Sequence, residues 1–132
     1  MSRKIRITSP HVAEPEPGLW SNCLKVKDTV YFSGLTARAN DGQTIQGASA
    51  YEQTWAIFNK MKHLIEAADG KTDDIVTLTI FVTNMKDNQE VWKARREFFS
   101  GDFPACALVQ VAALAKPEIL VEIQGQARLD GE

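Results

Sequence analysis

The chain has 132 residues and a mass of 14.7 kDa, which is enough for one domain with its own hydrophobic core. Hydrophobic residues make up 44% of it and charged residues 24%, and this ordinary globular composition excludes a disordered, collagen-like or coiled-coil chain. The 15 Lys and Arg are balanced by 17 Asp and Glu, which argues against a dedicated nucleic-acid-binding protein. We therefore expect a single domain over residues 1–132.

The sequence carries no feature that predicts export, membrane insertion or metal binding. The most apolar stretch, residues 106–115, is too short to cross a bilayer, and no apolar signal core follows the charged start. We therefore expect a cytoplasmic protein in which Cys23 and Cys106 are reduced thiols. Because His11 and His63 are far apart and have no ligand spacing around them, we expect neither a metal nor another cofactor.

The N-terminal third is typical of strands separated by turns. Residues 4–8 alternate polar and apolar side chains, and residues 19–26 and 29–34 have the composition of two further strands. The dipeptide at positions 27–28 suits a tight hairpin turn between them. Residues 40–47 begin with Asn-Asp-Gly and are predicted to form a surface loop.

Residues 49–68 are predicted to form the first helix, because apolar or small residues recur at helical spacing along one face. The residues of that face are Thr54, Ile57, Phe58, Met61, Leu64, Ile65 and Ala68. Asp69-Gly70 ends the helix, and Gly70 is the residue expected to take a left-handed cap conformation.

The second half adds one helix and three strands. Residues 75–83 are apolar on both faces and predict a central strand covered on both sides. Residues 84–100 predict the second helix, and residues 107–113 and 119–129 predict the last two strands. This order predicts an α+β two-layer domain, a mixed sheet with two helices on one face.

The second face of this sheet has no helix left to cover it. It carries Val109, Val111, Val121 and Ile123, or the residues that alternate with them. An uncovered and fairly apolar sheet face is usually buried between subunits. We therefore expect a homo-oligomer.

An ordered series of short motifs runs from about Gly18 to Leu129. The motifs are Tyr31-Phe32-Ser33-Gly34, Gln53-Thr54 with Asn59, the segment LIEAADG at 64–70, Phe81-Val82-Thr83, Phe98-Phe99, Phe103-Pro104-Ala105 and Val121-Glu122-Ile123. In this order they resemble the RidA/YjgF family, also labelled endoribonuclease L-PSP. The resemblance implies a chorismate-mutase-like fold, a homotrimer with small-molecule sites in clefts between subunits, and hydrolysis of enamines and imines such as 2-aminoacrylate to keto acids and ammonia.

The chain departs from the family's pattern at two positions. In deaminating members an arginine follows the Phe-Pro-Ala motif and clamps the substrate carboxylate, whereas here the residue is Cys106. A neutral thiol offers no charged bidentate fork, and losing such a clamp costs about 2–5 kcal/mol of binding free energy. Trp20 stands where a tyrosine is common. The absence of the arginine leaves three interpretations: the substrate is different, another cation binds its carboxylate, or this member does not deaminate the substrates of those relatives.

Glu122 is the candidate catalytic residue, because it matches the family's acidic residue that orients or activates water. A partly desolvated carboxylate has a raised pKa and can carry a proton to an imine nitrogen. Ser33 and Gly34 are candidate substrate-binding residues, since the glycine N–H could hold a carboxylate or carbonyl oxygen. The alternatives are a solvated or subunit-paired glutamate and an ordinary strand-end turn.

Cys106 and Trp20 complete the candidate substrate-binding set. Trp20 would shape the pocket, or else serve hydrophobic packing. Cys106 has no neighbouring His or cation in the sequence, which favours an inert thiol over a nucleophile. Arg95 or Arg96 could supply the missing cation, the alternative being solvated helix charges balanced by Glu90 and Glu97.

These residues favour a hydrolytic deaminase of a reactive enamine, imine or amino-diene acid. The alternative is a non-catalytic trimer that binds small metabolites in the same clefts, with Cys106 as the sign of abandoned deamination. An RNA-directed activity is the weakest hypothesis, because the pI is near 5.7 and the sequence has no basic patch interleaved with aromatic residues.

Overall fold

The computed structural model describes residues 3–129, so positions 1–2 and 130–132 of the predicted domain lie outside it. The described part forms strands and helices in the predicted order. The strands are β1 (Lys4–Arg6), β2 (Cys23–Val26), β3 (Thr29–Leu35), β4 (Ile75–Val82), β5 (Ala105–Gln110) and β6 (Val121–Arg128). The α-helices are α1 (Ala50–Ala67) and α2 (Asn88–Phe98), and short 3-10 turns at Thr72–Asp74 and Met85–Asp87 precede β4 and α2.

The strands join one mixed sheet in the order β1-β2-β3-β6-β4-β5. Neighbouring strands are antiparallel except β4 and β5, which are parallel. Two parallel strands need a crossover connection, and α2 lies in it. Both helices contribute buried residues to one core on one face of the sheet, which confirms the predicted α+β two-layer domain.

The predicted hairpin forms, but its first strand is shorter than expected. Lys27 takes the left-handed conformation at the turn, with φ 51°, and Cys23 pairs with Phe32. Residues 19–22 form no strand, because local side-chain bonds hold them in a loop. Trp20 Nε1 donates to Asn22 Oδ1 at 3.1 Å, and Asn22 Nδ2 donates to the carbonyl of Ala13 at 2.9 Å.

Helix α1 and its apolar face form as predicted. All seven face residues are buried, and Ser49 caps the helix in a reciprocal capping box with Glu52. The predicted left-handed cap at Gly70 is wrong, because Asp69 takes that conformation, with φ 69°. Gly70 is needed for close packing instead: a Cβ there would lie 2.5 Å from Leu129 Cδ2 and 3.0 Å from Ile65 Cγ1.

Helix α2 and strand β5 differ from the predicted ranges by a few residues. Helix α2 begins at Asn88 rather than Asn84, because the Asn84 side chain accepts a bond from Lys86 N at 2.9 Å and starts the 3-10 turn. Strand β5 begins at Ala105, pairing with Thr77 of β4, and ends at Gln110. An aromatic cluster joins the helices, with Phe58 stacked on Phe98 at 5.0 Å between ring centroids.

The second face of the sheet is open among residues 3–129. The prediction that β4 is covered on both faces fails within one chain, because Val76 is 42% exposed and Thr77 is also exposed. Val121 and Ile123 of β6 are fully buried beneath the helices. The open face therefore carries the residues that alternate with them, which are Glu122, Gln124 and Gln126, beside Tyr31 and Val109.

Candidate active site

A β-bulge at Ser33-Gly34 interrupts the pairing of β3 with β6. Phe32 pairs with Gly125 and Leu35 pairs with Ile123, so β3 has one residue more than β6 between these pairs. Ser33 is held in place from the other side, because its N–H donates to the carbonyl of Asn22 at 2.9 Å and its hydroxyl donates to the carbonyl of Ser21. Bulges re-aim backbone groups and are common beside active sites.

The bulge brings Gly34 against the carboxylate of Glu122. A Cβ at position 34 would lie 2.9 Å from Glu122 Cδ and 3.2 Å from Cγ, so the absence of a side chain makes room for the carboxyl group. Glu122 is half-buried, and desolvation raises the pKa of its carboxyl above the usual range. Within residues 3–129, no donor hydrogen-bonds this carboxylate. The burial of this carboxyl group agrees with the partly desolvated site expected from the sequence.

Gly34 and Trp20 line one cavity of about 520 Å³. The Trp20 side chain is 54% exposed, so the alternative that it serves core packing does not hold within one chain. Asn22 also lines this cavity and fixes the indole through the bond to Trp20 Nε1. Two of the five candidate residues, Trp20 and Gly34, therefore line this cavity. Glu122 does not line it but lies against Gly34, and Ser33 adjoins Gly34 in the bulge.

Cys106 does not join these residues within one chain. Its partner in the sheet is Leu78, whose partner in turn is Gly125, whereas Glu122 is in register with Phe81 and Val109. Cys106 therefore lies two strands from β6 and three positions along the strand, about 10 Å in each direction. It also lies on the helix-covered side of the sheet, the side opposite Glu122.

The structure places a cation beside Cys106. Burial raises the pKa of the Cys106 thiol, while the charge of Arg95 and a hydrogen bond from its guanidinium to the thiol act in the opposite direction. Arg95 Nε is buried and has no hydrogen-bond partner within the described range 3–129. Glu97 accepts bonds from Tyr51 and Trp55, and these bonds together with the charges of Lys93 and Arg96 lower the pKa of its carboxyl. The charge balance expected from the sequence therefore involves Arg96.

Two further cations line the large cavity and were missed by sequence reasoning. Lys60 Nζ donates to the carbonyl of Thr36 at 2.7 Å, and burial, together with the charge of Arg38, lowers the pKa of Lys60 to about 8. Arg38 Nη1 donates to the carbonyl of Gly42 at 3.1 Å. One feature of the sequence could have indicated Lys60: this lysine lies between the apolar positions Ile57 and Met61 of the predicted helix face, where a charged side chain is unusual.

Residues 12–129 match the family model described as Endoribonuclease L-PSP. The chain belongs to the RidA/YjgF family. The motif series that runs from Gly18 to Leu129 falls within the matched range. Of the proposed site residues, Trp20, Ser33, Gly34, Cys106 and Glu122 all lie within that range.

Two curated relatives of this RidA/YjgF protein align over most of their length. A 2-iminobutanoate/2-iminopropanoate deaminase of Dermatophagoides farinae is 34% identical over 119 residues, which cover 88% of this chain and 90% of that protein. A RutC family protein of Saccharolobus solfataricus is 31% identical over 110 residues, covering 83% of this chain and 86% of that protein.

Solved structures have the same fold. A protein of unknown function from Pseudomonas aeruginosa is 36% identical, with a TM-score of 0.85 and coverage of 98% of this chain and 95% of that one. RidA from an Antarctic Psychrobacter species is 29% identical, with a TM-score of 0.85 and coverage of 94% and 98%. The chorismate-mutase-like fold implied by the motif series is thereby confirmed. No helix within residues 3–129 is long and apolar enough to span a membrane.

Proposed function

We propose that this RidA/YjgF protein hydrolyses a reactive enamine, imine or amino-diene acid to a keto acid and ammonia. The observation that carries the proposal is the half-buried Glu122 carboxylate, which lies against Gly34 at the bulge and has a raised pKa. A relative that is 34% identical is named as an imine deaminase, which supports the same reaction class.

Glu122 is suited to proton transfer during hydrolysis of a C=N bond. Its carboxylate takes a proton from the attacking water as the oxygen bonds to the imine carbon. The resulting carboxylic acid then gives that proton to the nitrogen, which completes a carbinolamine. In the second step Glu122 takes the hydroxyl proton as the C=O bond forms, and it passes this proton to the nitrogen, so that the C–N bond breaks with release of ammonia. The sum is imine plus water to ketone plus ammonia. A raised pKa makes the carboxylate a stronger base for the first proton transfer, and the group can still give the proton up because the amine nitrogen of the adduct is more basic than a carboxylate.

The groups next to Glu122 and in the adjoining cavity would orient the substrate. The N–H of Gly34 would hold a carboxylate or carbonyl oxygen of the substrate, and Trp20 shapes the wall of the cavity. Ser33 fixes the bulge instead of binding substrate, because its N–H and hydroxyl already donate to the carbonyls of Asn22 and Ser21. Cys106 joins the site only if a neighbouring subunit supplies it, which is what clefts between the subunits of a homotrimer would provide. Arg95, which lies beside Cys106, would then supply the positive charge for the substrate carboxylate that a thiol at position 106 cannot provide.

The test uses imines generated in situ by an amino-acid oxidase, across small, aliphatic and aromatic side chains, with ammonia and keto acid as readouts. We expect faster imine decay than without protein, and loss of that acceleration in Glu122→Gln. Glu66→Gln is the matched control, because Glu66 is an exposed glutamate on α1 outside the cavity. Equal rates in the wild type and Glu122→Gln would overturn the proposal.

The alternative function is a trimer that binds small metabolites without turning them over. Cys106 favours it, because this residue stands where deaminating members of the family carry the clamping arginine. Ligand binding that survives Glu122→Ala, with no ammonia release from any imine, would support this alternative. Homotrimeric assembly, a cytoplasmic location and reduced thiols stay predictions, and sedimentation tests the first of them.

A further inference from the structure

A second cavity, of about 330 Å³, opens beside α1, and its lining is strongly biased towards cations. Three separate segments supply it: His11 from the loop after β1, Arg38 from the loop after β3, and Lys60 with His63 from α1. None of the described residues that line it is Asp or Glu, although the whole chain has a net charge of −2. Such a cavity has a positive potential that favours anions.

The cationic groups are held in place without carboxylate partners. Among residues 3–129, neither Arg38 nor Lys60 forms a salt bridge, and each is fixed by one bond to a backbone carbonyl. The carboxylate of Asp41, three residues after Arg38, accepts bonds from Thr44 and from the N–H of Gln43, and among residues 3–129 it forms no salt bridge with either cation. The burial of Lys60 and its closeness to Arg38 lower the pKa of Lys60 to about 8, which a bound anion would reverse.

The two imidazoles are placed together. The rings of His11 and His63 are stacked, with centroids 4.3 Å apart and planes at 25°. His63 follows Lys60 by three residues on the helix, so the two side chains lie on one face of α1. The amide side chains of Asn59 and Gln46 add further donors to the same cavity.

From this arrangement we propose that the cavity is an anion site for a phosphoryl group, either inorganic phosphate or a small phosphomonoester. A phosphoryl group carries nearly two negative charges and three acceptor oxygens at neutral pH, which matches several converging donors better than a single carboxylate does. Arg38 and Lys60 line both cavities, so the anion site shares a wall with the larger cavity that leads to Gly34.

The test is calorimetric titration of the full chain with inorganic phosphate and with glycerol 1-phosphate, in about 0.1 M NaCl to screen weak surface binding. We expect saturable binding that weakens at least tenfold in Arg38→Gln and in Lys60→Gln. Lys62→Gln is the matched control, because it removes the same charge from an exposed neighbouring position on α1 that does not line the cavity. It should change affinity less than twofold.

Lys60 also donates a hydrogen bond to the carbonyl of Thr36, so Lys60→Gln can lose phosphate binding through a disturbed fold. Measurements on the two histidines test the site independently of this variant. His63→Gln should weaken binding, and phosphate should shift the ring proton signals of both histidines in the wild type. Tighter binding of glycerol 1-phosphate than of phosphate would identify a metabolite phosphate as the ligand, and equal binding would identify free phosphate. No saturable binding below about 10 mM, or equal weakening in Lys62→Gln, would overturn the proposal.

Glu122→Gln should bind phosphate normally, which separates this site from the proposed deaminase function.

Discussion

The two faces of the sheet differ in what their side chains do, and β6 contributes to both. Val121, Ile123 and Ala127 of this strand are buried beneath the helices, whereas Glu122 and Gln124 between them face the open side. Alternation with a period of two places core residues and candidate site residues next to one another in sequence. Neighbouring positions can therefore have opposite roles. The effect of a substitution on stability or activity depends on which face of the sheet the side chain occupies.

The largest expected contrast is between adjacent residues on opposite faces. Ile123→Ala removes a fully buried side chain and should lower the free energy of unfolding by about 2–5 kcal/mol. Glu122→Gln should leave that free energy within about 0.5 kcal/mol but lower the deaminase rate by about 10²–10⁴-fold. Urea unfolding and ammonia release measure the two effects. A large stability loss in Glu122→Gln would contradict the division between faces.

A glycine pair sharpens the same contrast. A Cβ at Gly125 would lie 2.6 Å from the carbonyl oxygen of Thr77, so Gly125→Ala must move the sheet backbone and should destabilise the protein by about 1–3 kcal/mol. A Cβ at Gly34 meets only the mobile end of Glu122 at such short range. Gly34→Ala should therefore keep its unfolding midpoint and lose activity. Retained activity in a folded Gly34→Ala protein would show that the placement of the Glu122 carboxylate is not critical.

The contact between Arg95 and Cys106 predicts a change in thiol reactivity. Because the Arg95 charge lowers the pKa of the Cys106 thiol, Arg95→Met should raise that pKa and slow alkylation by iodoacetamide at pH 8 several-fold. Cys23 gives little background, since burial raises its pKa to about 12. Arg96→Met, one residue further along α2, is the control. An unchanged pH–rate profile in Arg95→Met would show that the guanidinium does not act on the thiol.

The smallest expected effect is on the pH dependence of stability. Because desolvation raises the pKa of Glu122 in the folded state, the folded protein binds more protons than the unfolded chain between the two pKa values. Stability from this group is present below the unfolded pKa and is lost as pH rises through the folded one. The difference in unfolding free energy between wild type and Glu122→Gln should therefore change from acid to neutral pH. A constant difference would contradict the raised pKa.

Much of the fold followed from the sequence, because periodicity and turn chemistry act locally. The face of α1 was predicted residue by residue, since helical spacing alone brings Ile57, Met61 and Leu64 to one side. The ends of elements were less predictable, because side chains such as Asn22 and Asn84 bond their own neighbourhood. Asp69, and not Gly70, takes the left-handed backbone conformation. Gly70 is instead the residue that allows close packing against Leu129, which is a long-range contact that the local sequence does not reveal.

The sequence by itself determined the α+β class, the element order and, through the family motifs, the candidate residues around Glu122. Only the tertiary structure decided which of them meet. The register shift at Ser33-Gly34 sets the glycine against Glu122, and strand order separates Cys106 from both. Long-range placement also brought His11 to His63 and Arg38 to Lys60. Such contacts join residues that are distant along the chain, and local patterns carry no information about them.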